Sequence, residues 1–412
     1  MRRLATEPYT LRDHLTAQAR RFESRIFLEY GDAQYSYRSI DDVTDRVATA
    51  LSRLGLRRGE RVALVLSDRP EFVFFLWGAP KVGLVPAPID PSLPPGEIAS
   101  LVERAEPAAL VTEQSLAGSC LERARRSASL RHTLVIDAGD EAAGFDPLAG
   151  GPVLDFWPDL DPGDAAALVF TRGTGGRRKA VLLSHTNLIA NSSQLIQPLR
   201  INSTDRFYRA LPLASPSGLV LELLTPWSAG ACAVLHSGRA SCSLPALLAE
   251  RRITVLTGTP ALFEDLARSD EVDSRNLSAL RLGACVPGPV SAAVLERFEE
   301  RYDALIVEGY GLTEATCVSC VNPYTGVRKP GSLGLPLPGQ QCRLALDSER
   351  EPEAGQVGEI VLRGPTVMLG YFDDPAATRS ALRDGWLHTG DYGYADSDGY
   401  YHLTPNSAAR PA

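Results

Sequence analysis

The sequence predicts an α/β fold with parallel sheets covered by helices, followed by a smaller β-rich unit. Up to about residue 320, short apolar runs typical of buried strands alternate with stretches of helical spacing. Beyond that point glycine and proline become frequent, and the apolar runs are short and linked by turns. The chain has 412 residues, of which 44% are hydrophobic, which is enough for roughly two to three structural units with a sizeable core.

Each element is placed by its periodicity. Helical spacing occurs at 11–21, 41–55, 185–196 and 244–251. Apolar runs of strand length occur at 62–66, 109–111, 168–170, 233–235 and 254–256, and in the β-rich part at 342–346 and 359–362. The acidic, glycine- and proline-rich stretch 136–165 is expected to be a surface linker.

Composition argues against several classes of function. A net charge of −8 and a pI near 5.4 do not suit a nucleic-acid surface. The most apolar run, 72–77, is followed by Pro80 and Lys81, and it is far shorter than the roughly 20 residues of a membrane span. The N-terminal residues do not resemble a signal peptide. Seven scattered cysteines suit a reducing compartment, so a cytoplasmic location is expected.

The segment 168–187 has the chemistry of a phosphate site. An apolar run ends at Phe170, and small or hydroxylic residues follow within six positions: Thr171, Gly173, Thr174, Gly175 and Gly176. Glycine lets backbone N–H groups approach phosphate oxygens, and threonine hydroxyls add donors. Lys179 adds an ammonium and is one of three lysines among 42 basic residues. The common P-loop is excluded, because Lys179 is followed by Ala180 rather than by serine or threonine.

A second segment, 309–316, adds further groups of this kind. Tyr310 offers an aromatic face, Thr313 a hydroxyl, and Glu314 a carboxylate, which is a hard oxygen ligand for a cation such as Mg²⁺. Together the two segments predict a site for a polyphosphate and its metal.

Both segments resemble the signature of the adenylate-forming enzymes, which include acyl- and aryl-CoA synthetases, peptide-synthetase adenylation domains and luciferases. The first segment matches that family's phosphate loop at Thr171, Gly173, Thr174, Gly176, Lys179, Val181, Ser184, His185 and Asn187. It departs from the loop at Arg172, Gly175, Arg178 and Ala180. The second segment carries the family's Tyr-Gly-x-Thr-Glu whole. Further blocks that resemble the family lie at 35–37, 83–91, 331–339, 358–364, 370–378 and 385–391.

This resemblance implies activation of a carboxylic acid to an acyl-adenylate, with ATP and Mg²⁺ as the cofactors. The residues implied to bind ATP or AMP are Thr171, Gly173, Thr174, Gly176, Lys179, Gly309, Tyr310, Gly311, Thr313 and Asp391. Among them, Tyr310 would stack on adenine and Asp391 would accept hydrogen bonds from the ribose hydroxyls. Thr313 and Lys179 are the implied catalytic residues, and Glu314 is the implied Mg²⁺ ligand. His185 is expected to be a structural histidine near a helix start.

The acyl pocket is expected around four small residues, Ser215, Gly218, Gly283 and Ala284. Ser215 lies where the family commonly has an aromatic residue or a histidine beside the substrate carboxylate. The nearby acid, Glu222, is expected to be an exposed helix residue, so it would not hold the α-ammonium of an amino acid. A fatty or aryl acid is therefore favoured over an amino acid. The acceptor is left open among CoA, a carrier protein and an amine.

The resemblance also implies a domain organisation. Two doubly wound, parallel-rich βαβ subdomains are expected in about 1–320, and a distorted β-barrel subdomain in about 321–403. Residues 404–412 are expected to form a short tail where the family continues into a hinge and a C-terminal lid domain, which supplies a lysine for adenylation. We therefore expect reduced activity, or a lid supplied by a separate partner protein. The alternative is a catalytically impaired homologue that binds a nucleotide, an acyl ligand or a partner.

Overall fold

A computed structural model describes residues 9–118, 127–137, 153–171, 178–235, 243–269, 277–286, 288–346 and 353–404. Its helices are α1 Leu11–Phe22, α2 Tyr37–Arg53, α3 Pro70–Lys81, α4 Pro95–Ala105, α5 His185–Ile196, α6 Thr225–Ala229, α7 Leu244–Glu250, α8 Pro260–Arg268, α9 Ala292–Tyr302 and α10 Pro375–Ala381, with a π-helix at Ser217–Leu224 and a 3₁₀ turn at Thr313–Ala315. Its strands are β1 Ile26–Tyr30, β2 Ala33–Ser36, β3 Arg61–Val65, β4 Val85–Pro88, β5 Pro107–Glu113, β6 His132–Ile136, β7 Ala165–Phe170, β8 Ala180–Ser184, β9 Arg206–Tyr208, β10 Cys232–Leu235, β11 Val255–Gly258, β12 Leu282–Cys285, β13 Leu305–Tyr310, β14 Cys320–Val321, β15 Leu335–Pro336, β16 Gln341–Ala345, β17 Gly358–Arg363, β18 Gly370–Tyr371, β19 Leu382–Arg383, β20 Trp386–Ala395 and β21 Tyr401–Leu403. The helices and strands expected from periodicity are present, with ends that differ by a few residues.

One fully parallel sheet comes from the first third of the chain. Its strand order is β4–β3–β5–β6. All seven residues of β5 are buried, as expected for parallel strands that are covered on both faces. The neighbouring helix α3 is also buried over nearly its whole length, so the apolar run at 72–77 is a core helix.

A larger sheet follows the order β15–β14–β13–β12–β11–β9–β10–β1–β2 within the described ranges. The strands from β13 to β1 are parallel, whereas the pairs at the two ends of the sheet are antiparallel. Phe263 of α8 packs edge to face against Phe298 of α9, with ring centroids 5.7 Å apart. Near β1 the core is an aromatic cluster with centroids 4.4–5.3 Å apart, formed by Phe27, Tyr37, Trp77 and Trp227.

The last part of the chain forms an antiparallel sheet of order β16–β17–β20–β19, with β21 paired to β20. The two strands expected at 342–346 and 359–362 are its β16 and β17. The predicted α/β fold with parallel-rich sheets and a smaller β-rich unit is confirmed, and the unit expected to be a distorted β-barrel is this curled antiparallel sheet. The subdomain limits near 320 and 403 stay predictions.

A small antiparallel sheet, β18–β8–β7, surrounds the phosphate segment. Strands β7 and β8 form a hairpin whose connection is 171–179. The two-residue strand β18, far along the chain, pairs with β8 on its other edge, with Tyr371 opposite Val181. The segment that contains Tyr371 is therefore fixed beside the exit of the phosphate loop.

The predicted linker 136–165 is only partly covered by the structure, since 138–152 lie outside the described residues. Its last part lies against the rest of the protein. Arg12 donates to the carbonyl of Pro158 at 2.9 Å, and Leu160 is buried. Among the residues that the structure describes, no helix has the length and apolar character needed to cross a membrane.

Candidate active site

A cavity of about 830 Å³ lies where the two sequence segments meet the antiparallel sheet. This volume is typical of a small-ligand site, about 300–1,000 Å³. Its charged lining residues, in the described part of the chain, are Lys179, Glu314, Glu359, Arg383, His388 and Asp391. Residues that lie up to 220 positions apart in sequence therefore face one space.

The two ends of the phosphate loop are held together. The N–H of Thr171 donates to the carbonyl of Lys179 at 2.9 Å, and the N–H of Lys179 donates to Thr171 Oγ1 at 2.9 Å. Both residues line the cavity. The predicted phosphate ligands Gly173, Thr174 and Gly176, together with Arg172, lie outside the described residues.

Arg178, which departs from the family pattern, has a structural partner. Its Nε donates to Glu97 Oε1 in α4 at 2.6 Å, and its Nη1 reaches the carbonyl of Thr171 at 3.4 Å. The guanidinium thus connects the end of the loop to a neighbouring helix.

Lys179 differs from the other two lysines in its contacts. Lys81 is buried and paired with Asp41 and Asp45, and Lys329 is paired with two aspartates. The ammonium of Lys179 instead lies 4.5 Å from the centre of the Tyr371 ring. This cation–π contact leaves the charge exposed at the edge of the cavity.

The backbone of 309–316 is packed so closely that glycine is required at one position. A Cβ on Gly311 would lie 1.7 Å from the carbonyl oxygen of Cys317, far inside van der Waals contact. Gly309, at the end of β13, is also tight, with Val286 2.9 Å from an added Cβ. Of these two glycines, Gly311 lines the cavity next to Thr313.

Thr313 and Glu314 lie in the 3₁₀ turn that follows β13. Both line the cavity, and Glu314 Oε1 accepts a hydrogen bond from the hydroxyl of Tyr371 at 2.8 Å. The turn ends at Thr316, whose φ of 74° and ψ of −64° form a γ-turn in which the N–H of Cys317 donates to Ala315 at 3.0 Å. Such turns are rare and strained for a β-branched residue. The bond from Thr316 Oγ1 to the carbonyl of Thr366, 2.6 Å, holds it.

Tyr310 and Asp391 are 81 positions apart in sequence, but their side chains are in contact. The Tyr310 hydroxyl donates to Asp391 Oδ2 at 2.6 Å. Burial first, and then the negative charge of Asp391, raise the pKa of Tyr310 well above its ordinary value, so the phenol stays a donor. Asp391 lies on β20 and lines the cavity. Its backbone N–H donates to Thr389 Oγ1 at 3.1 Å.

A group next to Asp391 supports its turn. Glu359 of β17 bonds His388 Nδ1 at 2.7 Å and accepts the N–H of Gly390 at 3.0 Å. Arg383 is 3.6 Å from the same carboxylate. His388 is connected to the Asp391 turn through Glu359, and it also lines the cavity.

The predicted acyl-pocket residues do not all reach the cavity. Ser215 lines it, together with Pro216, Ser217, Val286 and Cys317. Gly218 is the second residue of the π-helix, and an added Cβ would lie 2.5 Å from the carbonyl of Pro212. That position is a close backbone contact.

Gly283 and Ala284 lie inside β12. A Cβ on Gly283 would lie 2.6 Å from the ring of Phe263, so this position faces α8. Ala284 is buried in the core together with Val286 and Val307. Val286, two residues beyond Ala284, supplies the wall on this side.

The expectation for Glu222 is wrong, because its side chain is buried in the π-helix with 1% exposure. Oε1 accepts from the N–H groups of Ala210 and Leu211 at 3.3 and 3.2 Å, and from the hydroxyl of Thr257. Burial raises the pKa of Glu222 to about 7, and the Thr257 hydrogen bond and the charge of Arg209 partly offset this. Apolar neighbours in sequence indicated a helix, but they did not reveal these donors at the ends of β9 and β11.

The expectation that His185 is a structural histidine near a helix start is confirmed. His185 is the first residue of α5, is fully buried, and accepts the N–H of Leu11 on Nδ1 at 3.2 Å. Cys285 is a buried thiol whose pKa burial raises to about 12.

Several cavity residues were given no role by the sequence. Tyr371 and Glu359 lie in sequence blocks that resemble the family, so a closer reading of these blocks could have predicted them as site residues. Ser217 also lines the cavity, two positions from Ser215, and nothing in the sequence indicated that it would.

The class of protein that this fold and this cavity define is the acyl-adenylate-forming ligase. The chain belongs to the AMP-binding enzyme family, which it matches over residues 15–372.

Relatives within this class show how far the likeness extends. The chain is 29% identical over 423 residues to a long-chain-fatty-acid–CoA ligase of Escherichia coli O157:H7, covering 93% of this chain and 74% of the relative. It is 31% identical over 382 residues to a feruloyl-CoA synthase of Amycolatopsis sp., covering 91% and 74%. The crystal structure of ATP-bound MatB from Rhodopseudomonas palustris superposes with a TM-score of 0.84 at 27% identity, covering 96% of this chain and 78% of that one.

Proposed function

We propose that this protein uses ATP and Mg²⁺ to convert a carboxylic acid to an acyl-adenylate, with release of pyrophosphate. The observation that carries the proposal is the convergence of Lys179, Thr313, Glu314 and Asp391 on one cavity. These residues offer an ammonium, a hydroxyl and two carboxylates, which suit a polyphosphate, its metal and a ribose diol. ATP-bound MatB, a structural relative, supports the nucleotide.

The residues present fit the proposed metal. Mg²⁺ prefers oxygen ligands, and a carboxylate is a usual one. Glu314 would hold it, and Thr171 and Thr313 also line the cavity. When bound, Mg²⁺ would neutralise charge on the phosphate oxygens.

The remaining steps depend on this chain's own side chains. Lys179 and the 171–179 loop would bind the β- and γ-phosphates, and Thr313 would donate to the α-phosphate while the substrate carboxylate approaches it. The carboxylate oxygen would then form a bond to the α-phosphorus as the bond to pyrophosphate breaks. Tyr310 would contact adenine, and Asp391 would accept from the ribose hydroxyls. Fixed donors that face the developing charge are the main source of rate enhancement in such sites.

We propose a fatty or aryl acid as the substrate. The wall formed by Ser215, Pro216, Ser217, Val286 and Cys317 carries no charged side chain. An amino acid would need an acid for its ammonium, whereas the Glu222 carboxylate is buried and bound to backbone N–H groups. The relatives named as fatty-acid and feruloyl ligases support the same choice, and they also make CoA the favoured acceptor. The cytoplasmic location stays a prediction.

A second candidate is a catalytically impaired homologue that binds a nucleotide or an acyl ligand without turning it over. One observation favours it: small residues, such as Ser215, lie where the family commonly has a larger residue beside the carboxylate. The experiment below distinguishes the two candidates.

Pyrophosphate release tests the proposal. The protein is incubated with ATP, Mg²⁺ and one acid at a time, chosen from long-chain fatty acids, cinnamic- and benzoic-type acids and amino acids. We expect release with a fatty or aryl acid, no release when the metal is chelated, and a thioester when CoA is added. Calorimetry should show ATP binding that is lost in the Glu314→Ala, Asp391→Ala double variant.

The matched control replaces an acid of each type on the exposed surface, Glu250→Ala and Asp42→Ala, and should keep ATP binding. Binding of ATP without release, over the whole panel of acids, would support the second candidate. A lack of ATP binding by the unmutated protein would refute both the ligase and the nucleotide-binding alternatives.

A further inference from the structure

Tyr371 contacts two charged groups at the same end of the cavity. Its hydroxyl donates to Glu314 Oε1 at 2.8 Å, and its ring centre lies 4.5 Å from the ammonium of Lys179. The side chain is well packed, with 8% of the residue exposed. A neutral residue thus touches both the carboxylate and the cation that the proposed function assigns to the metal and the polyphosphate.

The backbone around Tyr371 is fixed to both of the segments that carry these groups. The N–H of Phe372 donates to the carbonyl of Ala180 at 2.8 Å, next to Lys179. The N–H of Met368 donates to the carbonyl of Glu314 at 2.9 Å. The N–H of Tyr371 itself donates to Thr378 Oγ1 at 2.9 Å. The position of the ring is therefore fixed by the backbone of Tyr371. The side chains of Glu314 and Lys179 are the ones that the ring restrains.

We propose that Tyr371 is a positioning residue with two separable effects, one on the metal and one on the polyphosphate; this inference rests on the proposed function. Its hydroxyl occupies one oxygen of Glu314 and so orients the carboxylate toward a divalent cation. Its ring restrains the long Lys179 side chain before the phosphates arrive. Holding a flexible side chain in place beforehand lowers the entropy lost on binding.

The two effects are separated by two substitutions. Tyr371→Phe removes the hydroxyl and keeps the ring beneath Lys179, whereas Tyr371→Leu removes both. The chain offers a matched control in Tyr400, whose hydroxyl donates to the carbonyl of Val327 at 2.6 Å and whose ring lies 4.7 Å from the ammonium of Lys329. Tyr400→Phe therefore removes the same group from a buried tyrosine whose ring also lies against a lysine ammonium, at a position that does not line the described cavity.

The measurement is calorimetric titration of the full chain with ATP at a series of Mg²⁺ concentrations, without any acid. For Tyr371→Phe we expect the half-saturating Mg²⁺ concentration to rise about tenfold, as for the loss of a hydrogen bond to a charged group. Its ATP affinity at saturating Mg²⁺ should stay within about twofold of the unmutated protein, because the Lys179 contact remains. Tyr371→Leu should weaken ATP binding about fivefold even at saturating Mg²⁺. Tyr400→Phe should change neither quantity.

Two results would overturn the inference. One is a Tyr371→Phe protein with the same Mg²⁺ requirement as Tyr400→Phe. The other is an equal loss of affinity at all Mg²⁺ concentrations, accompanied by a lower unfolding temperature, which would show a merely structural role. In both cases the unmutated protein still binds ATP. If it does not, the proposed function fails, and this inference fails with it.

Discussion

The free energy of unfolding should fall as the pH rises, because Glu222 is buried, and replacing Glu222 by glutamine should prevent this fall. The carboxyl is buried, Oε1 accepts from Thr257 and two backbone N–H groups, and Oε2 has no hydrogen-bond partner within the described residues. Burial raises the pKa of Glu222 from 4.5 to about 7. The folded protein therefore holds this proton more tightly than the unfolded chain does. The stabilising contribution is complete below pH 4.5 and is lost as the pH rises through about 7.

The size of the effect follows from the width of that pH range. Each pH unit lowers the free energy of unfolding by about 1.4 kcal/mol while only the folded state binds the proton. The loss between pH 4.5 and 7 is then about 3 kcal/mol. With an unfolding entropy of about 2.1 cal/mol/K per residue, a chain of this length would lose about 3 °C in Tm if it unfolds as one unit. Glutamine keeps an accepting oxygen and is neutral at every pH, so it mimics the protonated acid.

Thermal unfolding of both proteins from pH 5 to pH 8 tests this reasoning. The two Tm values should be close at pH 5, and the Glu222→Gln protein should unfold about 3 °C higher at pH 8. Glu250→Gln, on the surface of α7 with a 63% exposed side chain, controls for the loss of one charge. Parallel Tm curves for the unmutated and Glu222→Gln proteins across this range would refute the argument.

Three further predictions concern other parts of the protein. Gly311→Ala should abolish ATP binding, because the new Cβ would lie 1.7 Å from the carbonyl of Cys317; calorimetry with ATP and Mg²⁺ checks this, and wild-type affinity would contradict it. His14→Gln should make stability less sensitive to acid. Burial lowers the pKa of His14 to about 4, so its contribution is present above pH 6.5 and lost as the pH falls toward 4; urea unfolding at pH 7 and pH 5 measures the difference, which should be smaller in the variant. Ser217→Phe should narrow the acyl side of the cavity, raising KM for bulky acids more than for short ones in the pyrophosphate assay, and an equal change for both would place the acid elsewhere.

Much of the fold could be predicted because local sequence patterns indicate its helices and strands. The helix at 185–196 begins where expected, since Ser184 and Asn187 form a capping box that is visible in the sequence. The parallel strands are continuous apolar runs, as in β5, and their alternation with helices fixes the class of sheet. Strand β18 could not be predicted in this way. It has two residues, and it exists because β8 offers a free edge about 190 positions earlier.

Site residues that are neighbours in sequence could be predicted. Contacts that depend on tertiary packing could not be predicted from local sequence. Thr313 and Glu314 are adjacent, so one motif supplies both. The pairing of Tyr310 with Asp391 depends on how β20 lies against the end of β13, and only the resemblance to a family indicated it. The prediction that Glu222 is exposed was wrong because its burial depends on hydrogen-bond donors near the ends of two strands that are distant in sequence.

The charges in the cavity suggest why a metal and a nucleotide would bind together. Its described lining has three carboxylates, Glu314, Glu359 and Asp391, beside the cations of Lys179 and Arg383. Glu359 is engaged by His388 and by the N–H of Gly390, whereas the other two carboxylates are hydrogen-bonded only by neutral tyrosine hydroxyls among the contacts of the described residues. A tyrosine orients a carboxylate without neutralising it. A free polyphosphate would therefore face two negative charges, and a cation held by Glu314 would convert one of them from a repulsive into an attractive contact. We therefore expect the metal–nucleotide complex to bind more tightly than the free nucleotide, and the Mg²⁺ titrations measure this difference.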